Sequence, residues 1–313
     1  MAMFKKPNFF IIGAPKCGTT SLAMWLSEHP NVFMPKRKEL DYFDFDRRKG
    51  YADDLARYER FFADVREEHL AIGEASTGYL RSRVAVDEIL KYSPEARFIV
   101  GLRNPVEMAI SWHAQKVFEG VEDEPDFEIA WRLQEVRCTG ARIPRLCTDI
   151  GDLMYAEVCA LGSQLARLYE KVPRDRVFIY TLDEMRSDPR SLWIRVQEFL
   201  KVPDDGRQHF PTYNQAKHVP KILRIVTRIV ADTKRNLGIY YGLGILNRMN
   251  KIFARKPVEN VSRNFLLELY AYFRPEVELL QVLTGRDLST WLRPLAEGNK
   301  RSSQLYEADR YTA

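Results

Sequence analysis

The 313-residue chain has little cysteine and no long apolar run. Its four cysteines, Cys17, Cys138, Cys147 and Cys159, show no metal-ligand spacing, and a disulfide framework is not expected at this length without a secretory signal. They are expected to be free thiols. The first strong apolar run, Phe9-Phe10-Ile11-Ile12, is far shorter than the roughly 20 residues a membrane-spanning helix needs and lacks a signal-peptide core. It runs straight into a glycine turn, so the expectation is a cytoplasmic protein whose N-terminus opens with a strand. There is no internal repeat and no low-complexity tract. What is present suffices for a large core: 45% of residues are hydrophobic and 12% aromatic, with an ordinary 29% charged.

Strand and helix patterns alternate over the first two thirds. Asn8 to Ile12 reads as a strand, followed by a helix from about Thr19 to Glu28 whose Leu22, Trp25 and Leu26 share one face. Helices are expected at Tyr51 to Ala63, Val84 to Lys91, Asp152 to Glu170 and Pro189 to Leu200, and strands at Leu70 to Gly73, Arg97 to Leu102 and Val177 to Thr181. Asn104-Pro105, a cap followed by proline at the first helical position, opens a helix to about Phe118. Two further helices, Asn260 to Phe273 and Glu276 to Leu283, are expected to divide at Arg274-Pro275. This order predicts an α/β fold, a parallel sheet covered by helices on both faces within one domain over 1–313.

Charge is concentrated. Lys217 to Lys256 holds ten Lys or Arg against the single acid Asp232, a local +9, whereas the whole chain is only +5, which leaves −4 elsewhere. Residues 212–256 break the strand and helix rhythm and read as a basic insertion or lid. Ile222, Ile225, Val226 and Ile229 form one helical stripe there, with Lys221, Arg224 and Arg228 beside it. Such a segment either packs on the core with a solvated basic face, meets anionic lipid, or attracts an acidic acceptor.

The first strand leads into Ile11 to Leu22, "IIGAPKCGTTSL". Gly13 and Gly18 have the interval of an ATP-binding loop, G-x-x-x-x-G-K-[ST], but Thr19 stands in the lysine's place and the lysine is Lys16, inside the loop. A strand-to-helix turn of this kind offers converging N–H donors and a helix dipole to an anion. No metal is called for by this residue set. The loop is thus P-loop-like without being that of an ATP enzyme; a phosphotransferase of the nucleotide-kinase type is the alternative.

"PKCGTTSL" resembles the 5′-phosphosulfate loop of sulfotransferases that use 3′-phosphoadenosine 5′-phosphosulfate (PAPS). That resemblance implies a cofactor site of Lys16, Cys17, Gly18, Thr19, Thr20 and Ser21, completed by an arginine and a serine eight residues on that grip the 3′-phosphate. "FIVGLRNPVEMAISW" supplies Arg103 and Ser111 at that interval. "KELDYFD", Lys38 to Asp44, is similar to a segment of the heparan sulfate N- and 3-O-sulfotransferases and their bacterial relatives whose glutamate is the proposed base, which maps onto Glu39. The likeness runs on through "GEASTGYL", "YTLDEMRSDP", "FLKVP" and "YFRPEVELLQVLTGRDLSTW" and covers most of the chain, apart from 93–95, the 120–150 region and the insertion. Where "GEASTGYL" stands, the heparan enzymes read closer to E-K-T-P-A-Y-F, with a lysine at the acceptor site; here that residue is Ala75. Specificity for heparan is therefore not implied.

The resemblance implies Lys16 and Glu39 as catalytic residues, the first stabilising the leaving phosphate oxygen and the second taking the acceptor's proton, with a carbohydrate or glycolipid hydroxyl or amine as acceptor. Glu39 also has a simpler reading, an ion pair with the run Lys36-Arg37-Lys38. His113, beside Trp112, is a second base candidate or a structural histidine. Nucleic-acid binding is not expected, since the basic segment matches no known module. The expected setting is cytoplasmic, with peripheral contact to the inner face of the membrane through 217–256 as one use of the basic segment; a non-catalytic polyanion-binding protein of the same fold is the remaining alternative.

Overall fold

The computed structural model describes residues 5–47, 54–213 and 261–294. In chain order the elements are β1 (Phe9–Gly13), α1 (Thr19–Ser27), β2 (Val32–Phe33), α2 (Leu55–Arg60), β3 (Ala71–Ala75), α3 (Ala85–Tyr92), β4 (Arg97–Leu102), α4 (Pro105–Glu119), α5 (Phe127–Cys138), α6 (Tyr155–Val158), α7 (Leu161–Lys171), β5 (Val177–Thr181), α8 (Leu182–Ser187), α9 (Pro189–Leu200) and α10 (Arg263–Thr284). Most of the expected insertion, and the first residues of the helix expected at Tyr51, lie outside the described residues.

The sheet has five strands in the order β2-β3-β1-β4-β5, and every neighbouring pair is parallel. Alternation along β1 explains the two cores. Phe10 and Ile12 face one layer, with Phe98, Val100 and the apolar faces of α4, α7 and α10, while Phe9 and Ile11 face the other, with Trp25 of α1 and Trp193 of α9. The connection after β1 runs toward β2 and β3, and the one after β4 toward β5, so a crevice opens at the carboxyl ends of β1 and β4. Ligands of open parallel sheets sit at such switch points.

Three expectations are corrected. The helix expected over Asp152 to Glu170 is a 3₁₀ turn (Ile150–Leu153) followed by α6 and α7. The break at Cys159-Ala160 is stabilised by the Gln164 side chain, which donates to the Glu157 and Val158 carbonyls at 2.7 and 3.2 Å and so satisfies groups a continuing helix would have used. At the other end of the chain, α10 runs unbroken through Pro275. Its buried residues Phe265, Leu269, Phe273, Val277 and Leu280 continue one stripe across the proline, and Glu276 accepts from the Ser163 N–H and hydroxyl at 2.8 and 2.5 Å. Packing of that stripe outweighs the roughly 3 kcal/mol a helical proline costs. The strand expected at Leu70 to Gly73 is shifted to Ala71–Ala75, which brings Glu74 into the sheet.

Candidate active site

The loop between β1 and α1 has an unusual backbone. Lys16 (φ 65°) and Gly18 (φ 78°) both occupy the left-handed region. Such turns aim successive N–H groups inward, and glycine adopts them at least cost. Gly18 is the N-cap of α1, where no side chain caps the helix and no acid occupies the first turn. The positive end of α1 therefore has no anion of its own in that turn. Two clamps seat the loop: Ala14 donates its N–H to the Gly101 carbonyl at 2.9 Å, and the Tyr180 hydroxyl of β5 donates to the Cys17 carbonyl at 3.0 Å. A side chain at Gly101 would start 2.6 Å from that hydroxyl and 2.9 Å from that carbonyl, so only glycine lets the loop lie on β4.

Arg103, just past β4, reaches back to the Lys16 carbonyl at 3.4 Å and pairs with Glu107 at 3.1 Å. Asn104 caps α4 by accepting from the Val106 N–H at 3.0 Å, which starts the helix beside the loop. Lys16 donates to Gln115 at 2.7 Å. Gln115 lies one turn beyond Ser111 on the same face of α4. Lys16, Arg103 and the Ser111 face of α4 thus meet at the switch point. Burial, and then the neighbouring Arg103 charge, push the Lys16 ammonium down to about 8. Cys17 is fully buried, and burial pushes its thiol up to about 12. Thr19 and Ser21 are buried, and Ser21 accepts from the Tyr213 N–H at 3.0 Å. Thr20 is partly exposed.

From Gln115 a polar chain continues away from the loop. Gln115 donates to Glu119 at 2.7 Å, Lys116 bridges Glu119 and Asp152 at 2.8 and 3.1 Å, and Asp152 accepts from Arg47 and Arg81 at 2.9 and 2.7 Å. Arg47 also contacts Asp44 at 3.3 Å, which ties the network to the segment that carries Glu39.

Glu39 sits on the loop that follows β2. Its Oε1 accepts from Lys38 at 3.0 Å and from the Thr77 hydroxyl at 2.8 Å. The simple ion pair foreseen for this residue exists, together with a contact to the turn after β3 that lysine pairing alone does not explain. His113 is fully buried, its Nε2 is 2.9 Å from the Glu124 carbonyl, and its ring packs on Phe127 and Tyr155. It is a structural histidine. Among the described residues no group of three or more His, Cys, Asp or Glu could hold a metal, and no helix is long and apolar enough to cross a membrane.

The model of the sulfotransferase domain matches residues 6–219. The chain belongs to the sulfotransferase family. It is 26% identical over 301 residues to the bifunctional heparan sulfate N-deacetylase/N-sulfotransferase 3 of Homo sapiens, a match covering 92% of this chain and 31% of that relative. To the heparan sulfate glucosamine 3-O-sulfotransferase 3A1 of Mus musculus it is 26% identical over 285 residues, 90% of this chain and 63% of the relative. The chain therefore spans about a third of the length of the N-deacetylase/N-sulfotransferases it matches. Among solved structures it is similar to the sulfotransferase from Alicyclobacillus acidocaldarius, with a TM-score of 0.67 and 26% identity over 92% of this chain and 100% of that one. Its parallel sheet with helices on both faces is the fold of that solved sulfotransferase.

Several site residues were not anticipated from the sequence. Gln115 was signalled only by its spacing of four from Ser111, and Thr77 and Glu74 only by lying in "GEASTGYL". Nothing in the sequence pointed to Tyr180 as the clamp on the loop.

Proposed function

We propose that this chain transfers the sulfonyl group of PAPS to a hydroxyl or amine of a carbohydrate or glycolipid acceptor by in-line displacement. The observation that carries the reading is the meeting of Lys16, Arg103 and the Ser111 face of α4 at the switch between β1 and β4. The family generally uses PAPS, and this site fits such a donor: two cations, a helix N-terminus with no acid in its first turn, and a loop of inward N–H groups. PAPS supplies the sulfonyl group and the leaving phosphate oxygen. Lys16, with the amides of Gly18, Thr19 and Thr20, stabilises the charge that gathers on that oxygen as its bond to sulfur breaks, and such preorganised donors are each worth about a hundredfold to a thousandfold in rate. Glu39 takes the proton of the acceptor as the new bond to sulfur forms. Arg103 and Ser111 hold the 3′-phosphate, Arg103 doing so in competition with Glu107.

A nucleotide-kinase reading is not favoured, because Thr19 occupies the position its lysine needs. The heparan relatives, by their names, act on heparan sulfate, which supports a carbohydrate acceptor here without fixing which one. The cytoplasmic setting, and contact with the inner face of the membrane through the basic segment 217–256, belong to the same proposal; no binding to anionic liposomes at low salt removes the membrane part.

Calorimetric titration with 3′,5′-adenosine diphosphate beside ADP with magnesium tests the donor. The 3′-phosphorylated nucleotide is expected to bind and Arg103→Ala to abolish binding; preference for ADP with magnesium would overturn the reading. Lys16 adds a pH signature. Its ammonium loses its proton at about 8 in the unliganded protein and is held charged by a bound phosphate. Affinity is therefore expected to be flat between about pH 7, above which the ligand's phosphate monoesters are dianionic, and about pH 8, and to fall by up to about tenfold per unit above that. Lys16→Ala should erase that dependence.

A further inference from the structure

Glu74, on β3, is a carboxyl group only 1% exposed, in register with the core residue Phe10 of β1 and bonded to the core residue Tyr58. Its hydrogen-bond partners are three hydroxyls. Ser76 and Tyr79 donate to Oε1 at 2.6 and 2.9 Å, and Tyr58 donates to Oε2 at 2.9 Å. Each hydroxyl carries one hydrogen, so donating it to Glu74 leaves only lone pairs for any other partner.

Those lone pairs face the segment that follows Glu39. Ser76 Oγ accepts from the Asp41 N–H at 3.0 Å, and the Tyr79 hydroxyl accepts from the Tyr42 and Phe43 N–H groups at 2.8 and 3.3 Å. From the same turn, Thr77 donates to Glu39 itself at 2.8 Å. Backbone donors can bond only to acceptors, so the loop keeps its place only while Ser76 and Tyr79 point their hydrogens elsewhere. A hydroxyl left to itself rotates to suit its neighbours; here the carboxyl group fixes the direction.

We propose that Glu74 is a positioning residue of the acceptor side: by accepting the Ser76 and Tyr79 hydrogens at Oε1, it turns both hydroxyls into acceptors for residues 41–43 and so holds Glu39 in place for proton removal. The proposal rests on Glu39 being the base. The requirement falls on Oε1 alone. An ionised carboxylate meets it, and so does the neutral acid, whose proton sits on Oε2 and is donated to Tyr58. Among the described residues the charged and titratable groups that interact with Glu74 are Tyr58 of α2, Tyr79 of the turn after β3, Tyr92 of α3 and Asp41 of the loop, with Asp44 beside Tyr79. None is a cation, so the orientation is set by hydroxyl hydrogens and not by an ion pair.

Glu74→Gln keeps an acceptor at Oε1 and presents its amide nitrogen to Tyr58. Glu74→Leu keeps the approximate volume and removes the acceptor. Three quantities are read for both: amide hydrogen exchange of residues 41–43, binding of 3′,5′-adenosine diphosphate, and the turnover number with PAPS and an acceptor. The expected result for Glu74→Leu is faster exchange at 41–43 and a turnover number lower by about a hundredfold, the usual penalty for a misplaced catalytic group, with nucleotide binding unchanged. Glu74→Gln should stay near the parent in all three. If Glu74→Leu does not fold, Tyr79→Phe removes the hydroxyl that Glu74 orients, and with it both one donor to Oε1 and the acceptor of the Tyr42 and Phe43 N–H groups, and should give the same pattern. Unchanged exchange at 41–43 overturns the proposal, as does faster exchange with an unchanged turnover number while Glu39→Gln is inactive. If Glu39→Gln instead turns over normally, it is the assignment of the base that fails and the positioning of Glu39 for proton removal falls with it; the exchange data then still tell whether Glu74 holds the loop.

Discussion

Glu74 and Glu122 are buried to nearly the same degree, 1% and 2% exposed, and the protein treats them in opposite ways. Glu122 is met by a guanidinium: Arg137 donates two hydrogen bonds at 2.6 and 2.7 Å, and Tyr155 adds a third at 2.5 Å. Burial works to raise the Glu122 pKa, but Arg137 and Tyr155 outweigh it and hold the carboxyl below its ordinary value. Glu74 has three hydroxyls and no cation, and burial pushes it up to about 7. Burial alone does not set the charge of an interior acid; the partner does. The ion pair stands between α5 and the start of the 120s loop, where it ties chain segments together. The hydroxyl network stands under the loop carrying Glu39, where a directional arrangement without a cation orders the backbone of residues 41–43.

The largest test of this contrast removes the cation. Arg137→Leu leaves Glu122 buried without its partner and should cost about 3–5 kcal/mol of stability, read from urea unfolding. A loss below about 1 kcal/mol would mean that Glu122 takes up a proton with little penalty, and the contrast would collapse. Next comes pH. The folded protein keeps a proton on Glu74 that the unfolded chain releases above 4.5. The stabilising contribution of Glu74 is therefore complete below 4.5 and is lost as pH rises through about 7. Glu74→Gln abolishes this drain, so its stability relative to the parent should improve by up to about 1.4 kcal/mol per pH unit across that window. Glu122 has the reverse sign, its contribution being present above the ordinary carboxylate value and lost as pH falls through the lower folded one. The smallest effect belongs to Tyr58→Phe, which removes one of three donors to Glu74 and should cost about 1 kcal/mol.

Much of the donor side was legible because it is local. A strand, a left-handed turn and a helix follow one another within Phe9 to Ser27, and Arg103 and Ser111 follow β4 on one short stretch, so the motifs that carry the family resemblance stand in contiguous sequence. The acceptor side is assembled from segments far apart in sequence: Glu39 meets Thr77, and Asp41 meets Ser76, contacts that periodicity cannot display. β2 is two residues long and exists by pairing with β3, too short to leave a signal. Helix α5 was missed for a different reason. Its exposed Ile129 and Val136 blur the apolar stripe formed by Phe127, Ala130 and Trp131. Pro275 shows the converse, a strong local signal overruled by a continuous buried face.

Cys17 carries a practical consequence. Its thiol is fully buried, is held far from ionisation, and belongs to the loop that Tyr180 clamps through the Cys17 carbonyl, whereas Cys138 lies exposed. Alkylating reagents attack thiolates, so Cys138 reacts at once and Cys17 waits for the loop to lift from the sheet. Thiol labelling followed by mass spectrometry becomes a clock for that lifting, with the second cysteine as its internal standard.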